Sequence, residues 1–216
     1  MAKAKTSIFF CQNCGYESAK WMGQCPACRE WNTFAEEPVA PVQTAGRVTK
    51  ATARREPQAK PRQLSEIRID ETSRKTTGMA ELDRVLGGGI VAGSLVLVGG
   101  DPGIGKSTLL LQVCRNLTAG GDKVLYVSGE ESQQQIKLRA NRMGRFSDQL
   151  LILCETNLED IRETIQRVQP PVVVIDSIQT MYNESVNSAP GSVSQVREST
   201  GVLMQIAKGL GVTIFI

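Results

Sequence analysis

The sequence of 216 residues contains no histidine. This absence excludes Ser-His-Asp triads, imidazole metal ligands and histidine proton shuttles, so acid–base chemistry falls to carboxylates, lysine, tyrosine or cysteine. Aromatic residues are also few, at 5%, which leaves no obvious platform for stacking nucleic-acid bases. The hydrophobic fraction of 41% is sufficient for a folded core and excludes wholesale disorder.

Long hydrophobic runs are missing as well. The longest, at 172–175 and 95–98, have the size of β-strands and fall far short of the ~20 residues of a membrane helix. Near the N-terminus, Lys3 and Lys5 precede only the apolar residues 8–10, too few for a signal peptide. We therefore expect a cytoplasmic protein without membrane contact, in which paired cysteines bind metal more often than they form disulfides.

Charge and composition divide the chain into three predicted parts. Residues 1–63 carry 10 Lys+Arg and 5 Asp+Glu, whereas residues 64–216 carry 15 and 17. Segment 35–63 is rich in Ala, Pro, Gln and Thr without periodicity, which predicts a flexible basic tether between a unit at 1–34 and a core at 64–216. Its basic part, 47–62, is either a solvated linker or a nonspecific contact to nucleic acid.

Strand and helix patterns alternate from residue 64 onward. After each of the first four predicted strands, apolar residues recur at the spacing of one helix face. Because every predicted strand is apolar throughout, the fold class is α/β with a mostly parallel sheet covered on both faces. The last strand ends the chain, so we expect a fragment of a longer protein whose core is incomplete at its C-terminal end. The strands are predicted at 95–98, 124–127, 150–153, 172–175 and 212–216, and the helices around 109–117, 131–143, 158–168 and 196–210.

Four cysteines form a CxxC–x10–CxxC array, the spacing of a tetrahedral thiolate site: Cys11, Cys14, Cys25 and Cys28. It predicts a small structural Zn²⁺ ribbon, with rubredoxin-like iron or disulfides as alternatives; four thiolates leave no open position for a catalytic zinc. Trp21 and Trp31 are expected to pack over the second CxxC turn. Cys114 and Cys154 lie in apolar patterns and are predicted to fill the core.

Residues 100–107 match GxxxxGK[ST] between a predicted strand and a predicted helix, the context that a phosphate-binding loop requires. Its glycines permit close backbone approach, so that successive N–H groups cradle phosphate. Lys106 is expected to span the β- and γ-phosphate oxygens, Ser107 to occupy one Mg²⁺ position and Thr108 to bond an α-phosphate oxygen. The predicted ATP-binding residues of this loop are Gly100, Asp101, Pro102, Gly103, Ile104, Gly105, Lys106, Ser107 and Thr108.

Two acids follow predicted strands at the edge where ligands of parallel sheets bind. Asp176 is expected to hold Mg²⁺ together with Ser107, as a Walker B acid does, or otherwise to cap the following turn. Glu130 is the candidate for polarising the attacking water, which with Lys106 makes the predicted catalytic pair. Glu131 competes for that role, and both glutamates could instead be surface acids.

Several motifs together resemble the bacterial RadA (Sms) family of DNA-repair proteins. They are the cysteine ribbon with its two tryptophans, GGDPGIGKST at 99–108, YVSGEES at 126–132, and segments 77–78, 81–89, 174–179 and 190–198. The resemblance implies a RecA-like P-loop ATPase, with Glu130 as the RecA-type catalytic glutamate. It also implies that this chain is the N-terminal half, without the Lys-Asn-Arg-Phe-Gly motif and the Lon-protease-like C-terminal domain of that family.

The same resemblance implies partners that the composition does not. The family assembles as a ring on DNA, here expected to be homo-hexameric at full length, and acts with recombination or replication proteins on single-stranded or branched DNA. There it drives branch migration or helicase-like unwinding. A segment near 183–194 would face the DNA, although its residues alone indicate only a mobile surface loop.

Two other functions stay open at this point. A small-molecule P-loop kinase would need an acceptor lid with clustered arginines, which the sequence lacks. A nucleotide-gated adaptor would use the zinc ribbon to dock a replication or repair protein, with ATP setting its affinity.

Overall fold

The computed structural model of the protein describes residues 7–11, 15–38, 63–66, 74–186 and 188–216. Ten strands and five α-helices lie within these ranges. The strands are β1 (Ser7–Cys11), β2 (Glu17–Ser18), β3 (Phe34–Pro38), β4 (Arg74–Lys75), β5 (Ile90–Val91), β6 (Leu95–Val96), β7 (Val124–Ser128), β8 (Leu150–Cys154), β9 (Val172–Asp176) and β10 (Thr213–Phe215). The helices are α1 (Ala80–Val85), α2 (Lys106–Ala119), α3 (Gln133–Arg142), α4 (Leu158–Val168) and α5 (Val193–Leu210).

The N-terminal unit is an antiparallel sheet of three strands in the order β2-β1-β3. Cys11 at the end of β1 pairs with Phe34 at the start of β3, which brings the cysteine next to the apolar centre of this small sheet. Strand β3 continues past residue 34, where the sequence pattern placed the end of the ribbon. Backbone pairing with β1 extends the strand to Pro38, although its sequence lacks the alternation of apolar and polar side chains that would predict a strand. The rest of the predicted tether, 39–62, lies outside the described residues.

The large sheet confirms the predicted α/β architecture. Its five strands are all parallel, in the order β6-β10-β9-β7-β8. The interior strand β9 is apolar and buried from Val172 to Ile175, as expected for a strand covered on both faces. The register pairs Ser128 with Asp176 on one side and with Cys154 on the other. The carboxyl ends of three neighbouring strands therefore meet at one edge.

Helices cover both faces of this sheet and form two apolar clusters. One face packs against α4 and α5, with Ile161 and Leu203 fully buried. The other packs against α2 and α3, with Leu111 and Val113 fully buried. Each strand predicted between 95 and 216 and each predicted helix is confirmed to within a few residues. None of the helices in the described ranges combines the length and apolar character needed to cross a membrane.

Helix α3 begins at a capping box, which fixes the direction of the chain after β7. The Ser132 side chain accepts from the backbone N–H of Gln135, and the Gln135 side chain accepts from the backbone N–H of Ser132. Such reciprocal bonds satisfy two N–H groups that a helix start leaves open. The segment 129–131 is thus held between the end of β7 and a fixed helix start.

Candidate nucleotide site and metal-binding ribbon

The predicted phosphate loop lies between β6 and α2. Gly103 and Gly105 have φ of 80° and 105°, in the left-handed region that favours glycine. A Cβ atom built on either would meet no atom of the described residues within 4 Å, so the space beside the loop is open to that extent. Within the part of the chain that the structure describes, no side chain caps the start of α2. The first N–H groups of the helix therefore remain available to an anion.

Lys106 folds back across this loop. Its Nζ donates to the backbone oxygens of Gly100 at 2.8 Å and Asp101 at 2.9 Å. The ammonium group thus lies at the loop, where the sequence motif placed it. The two carbonyl oxygens are neutral acceptors that a phosphate oxygen can replace, because an anionic oxygen attracts the ammonium group more strongly than a neutral one does.

Ser107 and Asp176 come together as predicted for a shared magnesium site. The Ser107 hydroxyl donates to Oδ1 of Asp176 at 3.0 Å. A hydroxyl and a carboxylate are hard oxygen ligands of the kind that Mg²⁺ takes alongside substrate phosphates and water. The donor set therefore fits the predicted ion.

Tyr126 completes the surroundings of Asp176 and was not predicted from the sequence. Its side chain is fully buried in β7, and its hydroxyl donates to Oδ2 of Asp176. Burial, followed by the nearby negative charge of Asp176, raises the pKa of the phenol well above its usual range. The available signal was a phenol within an aliphatic strand, because a buried tyrosine hydroxyl needs a partner.

The two adjacent glutamates have different surroundings. Glu130 is exposed, and its Oε1 accepts a hydrogen bond of 2.6 Å from the Ser177 hydroxyl. Glu131 is partly buried and forms an ion pair with Arg139 of α3, while its backbone N–H donates to the Ser128 hydroxyl at 3.0 Å. Glu131 is thus engaged in structure, whereas Glu130 lies beside the residue that follows Asp176.

The remaining residues of the predicted site lie on the exposed surface of the same loop. Asp101 contributes its backbone oxygen to Lys106, and the Ile104 side chain is 70% exposed. Pro102 and Thr108 are exposed, Thr108 within the first turn of α2. The side chains of Thr108 and Glu130 form no hydrogen bond to the Ser107–Asp176 pair among the described residues.

The loop that the sequence presented as mobile is organised by one buried glutamine. Gln195 of α5 is 2% exposed. Its Nε2 lies 3.0–3.2 Å from the backbone oxygens of Asn183, Val186 and Ser188. Its Oε1 accepts from the Asn183 N–H at 2.9 Å. The described part of the loop is therefore fastened to the core. Glutamine in a helix gives no sequence signal for this.

Three of the four ribbon cysteines form one cluster. The sulfur atoms of Cys11, Cys25 and Cys28 lie within 4.8 Å of one another; Cys14 falls outside the described residues. Cys11 Sγ and Cys28 Sγ are 3.6 Å apart, far beyond the ~2.05 Å of a disulfide. Two thiolates on a tetrahedral zinc with Zn–S near 2.3 Å stand about 3.8 Å apart. The cluster fits Zn²⁺.

The other cysteines and the tryptophans differ in part from expectation. Cys114 is fully buried, as predicted. The core assignment of Cys154 is wrong: it ends the edge strand β8 and is exposed. The rings of Trp21 and Trp31 both lie within 3.9 Å of a Cβ built on Gly23. They stand beside the second CxxC turn but remain 55% and 67% exposed.

Known proteins give an independent view of these two units. Residues 59–216 match the family described as an AAA domain. The chain belongs to this AAA domain family. Residues 9–36 match the rubredoxin metal binding domain, which covers the cysteine ribbon in front of the AAA domain.

Curated relatives confirm the resemblance drawn from the motifs. The chain is 54% identical to a protein of Halalkalibacterium halodurans over 218 residues, 56% to one of Listeria monocytogenes over 219 and 50% to one of Pseudomonas aeruginosa over 217. Each is described as DNA repair protein RadA, and each alignment covers 100% of this chain. The chain spans about half the length of these relatives, 47% of each.

Proposed function

We propose that the AAA domain of this chain binds and hydrolyses Mg²⁺-ATP as part of a DNA-repair motor. The observation that carries the proposal is the 3.0 Å hydrogen bond between Ser107 and Asp176. It joins the end of the phosphate loop to the carboxyl edge of β9 through two oxygen ligands that suit magnesium. Many glycine turns share part of the loop sequence, but few pair it with an acid at this edge.

Each residue of the site has a task that follows from its surroundings. Lys106 exchanges its two carbonyl partners for phosphate oxygens, and the open N-terminus of α2 binds the same phosphates through backbone N–H groups. Ser107 and Asp176 would hold Mg²⁺, which would supply positive charge to neutralise the phosphates. Tyr126 holds the second oxygen of Asp176 and fixes the plane of the carboxylate. Glu130 orients the attacking water and accepts its proton.

The proposal includes DNA because the relatives are described as DNA-repair proteins. We infer single-stranded or branched DNA as the partner of the whole protein, branch migration or helicase-like unwinding as its action, and a homo-hexameric ring as its assembly. The segment near 183–194, whose last two residues begin α5, is the proposed DNA contact. Its attachment to Gln195 would link DNA binding to α5 and to the sheet.

The test compares ATP hydrolysis with and without single-stranded DNA for the wild type and Lys106→Ala. Removing the ammonium group is expected to lower turnover on the order of 10²–10³-fold, because phosphoryl transfer depends on charge neutralisation. Lys137→Ala, at an exposed position of α3, serves as the control and keeps the wild-type rate. Wild-type turnover in Lys106→Ala would show that the proposed nucleotide site is wrong. If DNA does not stimulate hydrolysis, the proposed DNA motor is wrong, whereas the ATPase assignment stands.

A second function, the nucleotide-gated adaptor, is supported by the exposed indoles of Trp21 and Trp31. Rigid exposed aromatic residues are typical centres of protein–protein contacts. In this function the ribbon docks a recombination or replication protein. Binding of such a partner would survive Glu130→Gln and would be lost in the double variant Trp21→Ala, Trp31→Ala. The motor predicts instead that Glu130→Gln abolishes the activity of the whole protein.

A further inference from the structure

The hydroxyl of Ser177 touches the proposed catalytic glutamate. Its Oγ donates to Oε1 of Glu130 at 2.6 Å, across 47 positions of sequence. Ser177 directly follows Asp176 and precedes a short 3-10 turn, Ile178–Thr180. A residue attached to the proposed magnesium ligand therefore also contacts the proposed base.

Close packing of the backbone fixes the two segments against each other. The N–H of Gly129 donates to the Asp176 oxygen at 3.1 Å, and the Thr180 hydroxyl donates to the Ser177 oxygen at 2.8 Å. A Cβ built on Gly129 would lie 2.0 Å from Thr180 Oγ1 and 2.7 Å from Thr180 Cβ. Only glycine fits directly before Glu130 without displacing the turn that carries Ser177.

An exposed glutamate gains from such a contact. Its side chain has several rotatable bonds, and ordering them costs conformational entropy. A hydrogen bond to one carboxylate oxygen limits that freedom and leaves the second oxygen to accept a proton. The neighbouring Glu131 has its own partner, Arg139, and does not compete for the Ser177 hydroxyl.

We propose that Ser177 is a positioning residue that holds the Glu130 carboxylate in the orientation needed to accept the proton of the attacking water. This inference rests on the proposed ATPase function. Ser177 contacts neither nucleotide nor water in this role and acts through Glu130. The serine and the Gly129–Thr180 contact together set where the carboxylate stands relative to Asp176.

The experiment is single-turnover hydrolysis of Mg²⁺-ATP with protein in excess, together with the dissociation constant of Mg²⁺-ATP. Ser177→Ala is expected to lower the rate constant about tenfold to a hundredfold, the range that misplacing a catalytic group produces. The dissociation constant and the melting temperature stay at the wild-type values. Ser177→Thr restores the hydroxyl in extended backbone and recovers the rate.

Glycine variants provide a second, independent measurement. Gly129→Ala displaces the turn and is expected to lower the rate constant at least as much as Ser177→Ala. Its matched control is Gly201→Ala in α5, where a Cβ meets no atom of the described residues within 4 Å and the rate is expected to be unchanged.

The outcomes separate this inference from the function on which it rests. If Glu130→Gln stops hydrolysis but Ser177→Ala hydrolyses at the wild-type rate, the positioning role is wrong and the ATPase assignment stands. If Ser177→Ala weakens Mg²⁺-ATP binding with an unchanged rate constant, the serine acts on Asp176 and the inference is also wrong. If Glu130→Gln itself hydrolyses at the wild-type rate, the proposed base fails and Ser177 loses its role with it.

Discussion

The Ser107 hydroxyl donates a hydrogen bond to Asp176, 69 positions further along the chain. One residue belongs to the first turn of α2, the other to the last position of β9. Two further strands and two helices separate them in sequence, yet parallel pairing brings both to the same edge of the sheet. The Tyr126 hydroxyl, on the neighbouring strand β7, donates to the other oxygen of Asp176. The carboxylate is therefore held from two sides.

The adjacent glutamates should respond differently to the same substitution. Glu130→Gln is expected to keep Mg²⁺-ATP binding and to lose hydrolysis by on the order of 10²-fold or more, because the base is removed. Glu131→Gln breaks the ion pair with Arg139 and should lower the free energy of unfolding by about 1–3 kcal/mol while hydrolysis continues. Urea unfolding and hydrolysis rates measure the two effects. Hydrolysis that depends on Glu131 alone would reverse the assignment.

The ribbon should depend on its metal. We expect about one Zn per chain by elemental analysis, and loss of the ribbon fold when a thiol reagent and chelator remove it, since so small a unit buries little apolar surface. The two tryptophans of the chain both lie in the ribbon, so the anisotropy of their fluorescence should fall on metal loss.

Two serine variants control the metal experiment. Cys28→Ser removes a member of the cluster and should lower the zinc content. Cys154→Ser changes an exposed thiol at the end of β8 and should leave it unchanged. A red, iron-containing protein would support the rubredoxin-like alternative, and a folded ribbon without metal would contradict the site.

Tyr126 should stay protonated while the protein is folded. Its folded pKa is raised above the unfolded value near 10. The stability that this shift contributes is therefore fully present below about pH 10 and is lost as the pH rises above it. Absorbance titration at 295 nm should give superimposable curves for the wild type and Tyr126→Phe until unfolding begins. An ionisation missing from the variant under folded conditions would show that the phenol titrates.

Gln195 should control the order of the loop before α5, of which the structure describes residues 183–186 and 188–192. Gln195→Leu keeps the approximate shape but leaves the Asn183 N–H and three backbone oxygens without their partner. We expect faster hydrogen exchange at the Asn183 amide and loss of DNA stimulation, with basal hydrolysis retained. Gln205→Leu, at an exposed position of the same helix, is the control. Unchanged exchange at Asn183 would show that the glutamine does not hold the loop.

Local patterns were sufficient for the elements of the core. Runs such as 172–175 are apolar and β-branched, which suits only a strand covered on both faces, and the spacing in 158–168 places Leu158, Ile161 and Ile165 on one buried helix face. The ribbon was predicted from spacing alone, because two CxxC turns can converge on one ion without help from the rest of the chain. The boundaries at 34 and 63 and the roles of the site residues stay predictions.

Sequence by itself determined the P-loop, the acids that follow the strands and the cysteine cluster, since each consists of neighbouring residues whose chemistry is local. Only the tertiary structure decided which side chains meet across the site. It pairs Arg139 with Glu131 and Tyr126 with Asp176. It also brings Ser177 to Glu130 and Gln195 to the loop before α5. These contacts join residues from 8 to 50 positions apart. They depend on strand order and register, which no stretch of the sequence contains.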